Sequence, residues 1–175
     1  MISPSRIIRL LPFLFLFTAC GPSYPDGLVE ELHEEGMPSN AFSYYSPSIV
    51  SAFTSMDSSG TAASIAYGIY DVKQFSPVRG IRDTAVCISA IALQERVDAL
   101  EGYETILPPL YEGEGSVRVL GKSIDNKLKL ILIVRQSDAE TIELTEIRGD
   151  NLRSNITRAM MLGMMNGNLN IPFLK

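Results

Sequence analysis

Few side chains in this 175-residue sequence could do chemistry, and the two cysteines come first. Cys20 closes the stretch Leu10 to Gly21, LLPFLFLFTACG, an apolar run of about ten residues behind Arg6 and Arg9 that ends in Phe17-Thr18-Ala19. Basic residues, a short apolar run and small residues before a thiol have the shape of a secretory signal closing on a lipidation site. The run cannot span a bilayer, since a helix needs roughly 20 residues at 1.5 Å rise each, so cleavage is expected. With Cys20 acylated, Cys87 has no partner for an intramolecular disulfide. Cys87 lies beside a helical apolar stripe, and no His, Lys or Arg stands three or four positions away to stabilise a thiolate. It reads as a buried, inert thiol rather than a redox or acyl-accepting one.

The other chemically capable groups are sparse. His33 is the only histidine and falls in an acidic stretch, where a solvated polar role is expected rather than metal or proton work. Ser43, Ser46, Ser48, Ser51 and Ser55 lie opposite an apolar stripe, and none is flanked by glycines as a strained nucleophile elbow requires. Met160, Met161, Met164 and Met165 form two adjacent helical stripes, 160 with 164 and 161 with 165. Thioethers suit Cu(I), but His or Cys is missing nearby, so these four are ranked first as partly buried under the Asn168 to Leu174 tail. They rank second as a candidate partner-contact surface, since Met repacks against varied partners. Asn155-Ile156-Thr157 matches a glycosylation triplet by chance.

This inventory disfavours several enzyme classes. A Ser-His-Asp or Cys-His site would have to use His33, zinc would lack its usual ligands, and the chain contains no glycine-rich phosphate loop or dinucleotide fingerprint. No catalytic residue, metal or cofactor is assigned. A Ser-Lys dyad or a carboxylate pair stays open, because such partners meet only in the fold. The formal charge is −5, and removing Arg6 and Arg9 with the signal leaves 13 basic against 20 acidic residues, or −7. Such a chain does not invite nucleic acid.

The elements that must carry these groups can be read in order. Residues 1–19 are the signal, and 20–40, CGPSYPDGLVEELHEEGMPSN, read as a lipid-anchored acidic tether with a helical turn or two around Leu28 to Glu35. Residues 41–175 make one α+β domain, long enough to bury a core. Phe42, Tyr45, Ile49, Val50, Phe53 and Met56 recur at three and four, with Ser46-Pro47 starting a helix that Asp57 to Gly60 ends. Ala63 to Phe75 reads as the first strand. Asp83 or Thr84 caps a helix to about Leu100, with Val86, Ala90, Leu93, Val97 and Leu100 on one side.

After Gly102 the period changes to that of strands: Tyr103 to Tyr111, with Pro108-Pro109 marking an edge, then Ser116 to Ile124, Lys127 to Gln136 and Glu140 to Arg148. The short connections dictate an antiparallel meander. In Lys127 to Gln136 both faces are apolar, which marks a central, covered strand. Asp150 opens a last helix to about 163. The expected fold is a two-layer α+β domain, an antiparallel sheet of four to five strands with helices 84–100 and 150–163 on one face.

Two resemblances follow from these residues. Thr18-Ala19-Cys20-Gly21 resembles the lipobox of bacterial lipoproteins, in which small residues admit the signal peptidase and the thiol takes a diacylglycerol. The segment FSYYSPSIVSAFTSM, the turn Glu101-Gly102-Tyr103-Glu104 and the run LKLILIVRQSDAETIELTEIRGD before a helix resemble the bacterial lipoprotein family described as domain of unknown function 4252, over roughly residues 42–162. These resemblances imply a lipoprotein held in the envelope membrane through Cys20, at the outer membrane because Gly21 replaces the Asp that retains lipoproteins at the inner one. They supply no catalytic residues. The expected function is a non-catalytic binding or scaffold module with an envelope protein as candidate partner. The alternative is an envelope hydrolase using carboxylate or Ser/Lys residues.

Overall fold

The computed structural model describes residues 25–55, 60–77, 88–112, 115–138 and 141–165. In chain order these form α1 (Leu28–Glu34), a 3₁₀ turn (Ser39–Ala41), β1 (Phe42–Tyr45), α2 (Pro47–Ser55), α3 (Thr61–Ala66), β2 (Ile69–Phe75), α4 (Ala90–Asp98), β3 (Tyr103–Glu112), β4 (Gly115–Ile124), β5 (Lys127–Asp138), β6 (Thr141–Gly149) and α5 (Leu152–Met165). The fold is mixed α+β, with five α-helices among the described residues and an open sheet of six strands in the order β1-β2-β6-β5-β4-β3. All five pairings are antiparallel.

The meander β3 to β6 follows from turn chemistry. Asp125 and Asn126, at φ 50° and 60°, make the two-residue turn between β4 and β5 whose left-handed backbone matches strand twist. Pro108 and Pro109 lie on β3, an edge strand, where the register slips between Leu107 and Leu110. An edge tolerates the missing amide donors.

The central strand β5 governs the layering. Leu130, Leu132 and Val134 belong to one buried cluster with Leu28, Val29 and Leu32 of α1 and Leu93 and Val97 of α4. Ile131 and Ile133 point the other way, into a second cluster with Val50 of α2, Ala66 of α3 and Leu152 of α5. A bulge lets Ser123 pair with Leu128 while Lys122 pairs with Leu130, so Leu128 turns to the second face. Gly121 leaves the space that Leu128 and Ile106 fill there. Helices therefore cover both faces of the sheet.

This corrects the two-layer expectation with its helices on one face. α4 packs on the first face and α5 on the second, because β5 is apolar on both sides and each side must be covered. The strand count is six rather than four or five, since Phe42–Tyr45 is a strand and not the start of an aromatic helical stripe. Pro47 ends that strand and opens α2, as the sequence predicts. Ala63 to Ala66 is helical rather than extended. The alanine-rich TAASIA favours helix, and Gly68 at φ 80° breaks the chain into β2.

α4 starts at Ala90, where the Ser89 side chain accepts a hydrogen bond from the Ala92 N–H at 3.1 Å. The expected caps Asp83 and Thr84, together with Cys20, Cys87, the signal and the tail after Met165, lie outside the described residues. The stretch expected to be tether is folded from Leu28 onward, with Leu28, Val29 and Leu32 fully buried. No helix among the described residues is long and apolar enough to cross a membrane.

Two cores give a direct check. Leu132→Ala and Ile133→Ala, neighbours on opposite faces, should each lower stability in urea unfolding by about 2–5 kcal/mol. A loss below about 1 kcal/mol for Ile133→Ala would mean that the second face is not a core.

Candidate functional site: a charged groove beside α1

Strand alternation on β6 sends Ile142, Leu144, Glu146 and Arg148 to the first face. The first two are apolar core. The next two carry charge into the same surface, and α1 lies over them. Pairing aligns Tyr44 with Lys73 and Lys73 with Glu146 across β1, β2 and β6, and sets Asp71 opposite Arg148 one row on. Of these, Lys73 and Arg148 reach Glu30 and Glu146 reaches the Val29 N–H in the first turn of α1.

Glu146 has 0% exposure. Its Oε2 accepts the Val29 N–H at 3.2 Å, and Oε1 has no hydrogen-bond partner among the described residues, with Arg148 Nε at 3.8 Å. Burial is the main cause of a carboxyl pKa raised above its ordinary value. The Val29 N–H, Arg148 and Lys73 oppose the rise and Asp71 adds to it. Gly27 permits the close approach, because a Cβ at that position would land on the Glu146 carboxylate. Arg148 forks onto Asp71 through two hydrogen bonds of 2.9 Å and reaches Glu30 Oε2 at 3.5 Å, while Lys73 pairs with Glu30. The Lys73 pKa is lowered, by burial first and by Arg148 second.

Beside this network lies a groove of about 340 Å³, walled by Val29, Glu30 and His33 of α1, by Phe42, Ser43 and Tyr44 of β1, and by Asp71, Lys73 and Arg148. His33, expected on a solvated tether, is exposed on α1 and sets its ring edge-on to Phe42 at 5.1 Å. Ser43 and Lys73 do not form a dyad, since alternation from Tyr44 sends the Ser43 side chain to the opposite face. The groove carboxylates are likewise engaged, Asp71 by Arg148 and Glu30 by Lys73, while Glu146 is sealed beneath Gly27 and Val29.

On the second face a small cavity of about 60 Å³ is lined by aliphatic side chains of β2, β5, β6, α3 and α5, with Asn155 and Met160 in its wall. Asn155 is buried and its Nδ2 donates to the Tyr67 carbonyl at 2.9 Å, tying α5 to the turn before β2. The helical methionines separate accordingly, for Met160 lines the cavity and Met161 is 60% exposed. The side chains of Met164 and Met165 lie outside the described residues.

Sequence reasoning missed Glu30, Tyr44, Asp71, Lys73, Glu146 and Arg148 as a group. The available signal was the alternation Ile142, Leu144, Glu146, Arg148, in which charged residues occupy positions that the strand pattern points inward.

Two substitutions test this geometry. Gly27→Ala should destabilise the protein by about 2–3 kcal/mol, because α1 must lift from Glu146 to admit the methyl group. Glu146→Gln tests the raised pKa. The folded protein keeps that proton over a range, beginning near 4.5, in which the unfolded chain has lost it, so stability falls as pH climbs through that range. The melting temperature of Glu146→Gln should therefore gain on the wild type as pH rises above about 4.5. Parallel curves would assign the proton elsewhere.

No family model, curated protein or solved structure matches this chain.

Proposed function

We propose that the protein is a lipid-anchored cell-envelope module, similar to the lipoproteins of domain of unknown function 4252, that binds a ligand or partner without catalysing its conversion. The observation that carries the binding reading is the groove beside α1, where Arg148, Asp71, Lys73 and Glu30 are fixed against one another and Tyr44 stays exposed. Fixed donors and acceptors recognise a ligand with little ordering cost. A hydrolase needs an acid or base free to exchange protons, and the pairing in this groove gives that alternative no support.

The anchor is supported by the apolar run ending in Thr18-Ala19-Cys20-Gly21. Leu28 lies eight positions after Cys20, so an anchored chain reaches the folded domain within about 30 Å at 3.3–3.6 Å per residue. The domain would sit close to the bilayer, at the outer membrane by the Gly21 criterion, with an envelope protein as a candidate partner.

Metabolic labelling with a fatty-acid probe should mark the wild type and leave Cys20→Ser unlabelled. Equal labelling of both, or of neither, would remove the anchor.

A further inference from the structure

We infer that the groove beside α1 takes a neutral, hydroxyl-rich ligand, a saccharide segment, an inference that rests on the binding-module reading. Its volume of about 340 Å³ falls within the roughly 300–1,000 Å³ of small-molecule sites. Its charge balance selects the ligand's charge. Lys73 is paired with Glu30 and Arg148 with Asp71, so the walls present two cations against two acids, each already engaged by its partner. An anionic ligand would have to compete with the Asp71 carboxylate for the Arg148 fork, and a cationic one with Lys73 for Glu30.

A hydroxyl group needs no such exchange, because it donates and accepts at once. A carboxylate offers about four lone-pair sites, and guanidinium and ammonium groups offer five and three donors, so the paired groups keep capacity for further hydrogen bonds. Neighbouring hydroxyls on a ring can donate to Asp71 or Glu30 and accept from Arg148 or Lys73 without separating either pair.

The apolar side of the groove fits the same ligand. Tyr44, registered beside Lys73 on the same face, is 57% exposed, an aromatic surface at the rim of a polar cleft. Phe42 and His33 continue the wall in edge-on contact. The C–H face of a pyranose ring matches an aromatic surface while its hydroxyls reach the charged floor. An extended peptide would rather hydrogen-bond along the backbone of an edge strand, and β1 offers only four residues for that.

The test uses the full chain in a detergent without a sugar headgroup, titrated with maltotetraose, cellotetraose and chitotetraose, with tetragalacturonate and a neutral hexapeptide as counter-probes. Binding is read by calorimetry and by the NMR signals of His33 and Tyr44. At least one neutral tetrasaccharide should bind and shift both residues, Tyr44→Ala should weaken it tenfold or more, and tetragalacturonate should bind more weakly. His33→Gln, an exposed substitution, serves as the second variant and should weaken binding in the same direction. Saccharide binding that neither variant alters, tighter binding of tetragalacturonate, or no saccharide shift at all overturns the inference. If only the hexapeptide shifts His33 and Tyr44, the saccharide class fails and the binding module stands. If no probe shifts them, both readings lose the groove.

Discussion

Everything in this fold answers to one strand that is apolar on both sides. Leu130, Leu132 and Val134 of β5 face one way and Ile131 and Ile133 the other, and all five are buried. Full burial of such a side chain is worth about 1.5–3 kcal/mol, so neither set can be left in water by a domain of ordinary stability. The sheet must then be covered twice. β4 and β6 flank β5, α1 and α4 close the first side, and α2, α3 and α5 close the second.

The cover on the first side is asymmetric, and the polar cluster grows from that asymmetry. α1 has only seven residues, too short to hold itself as a helix, and it persists because Leu28, Val29 and Leu32 are driven into the sheet. The fork from Arg96 to Glu35, at 2.6–2.7 Å, joins it to α4 but is exposed and contributes little beside that burial. Where α1 begins, the apolar surface of β6 ends, and the backbone N–H of Val29 needs an acceptor there. Glu146 supplies it, although burial raises the pKa of its carboxyl, and Asp71, Lys73, Glu30 and Arg148 form the polar border at which core passes into groove.

Much of this was legible in the residues, and the failures have physical causes. The meander from Tyr103 to Arg148 could be read because period-two alternation and turn residues such as Asp125-Asn126 are local signals. Pro108-Pro109 marked its own edge for the same reason. The two-sided apolar pattern of β5 was visible too, yet its implication of a second helical layer conflicts with helices on one face. Phe42, Tyr45 and Ile49 fit a helical spacing by chance, and the four-residue strand they conceal is held mainly by pairing with β2, a partner about 30 residues away. The groove was illegible because its members come from α1, β1, β2 and β6. No window of sequence contains them together.

The order in which the sheet can close follows from its pairing. β3, β4, β5 and β6 are joined by consecutive hairpins and need only neighbouring sequence to assemble. β2 must wait for β6, since Asp71 and Arg148 are 77 residues apart, and Val29 and Glu146 are 117 apart. Contacts of such separation slow folding because a long loop must close before they are rewarded. A chain delivered from its N-terminus therefore presents α1, β1 and β2 long before their landing surface exists. The first third of the domain is the first to emerge and the last to find its place.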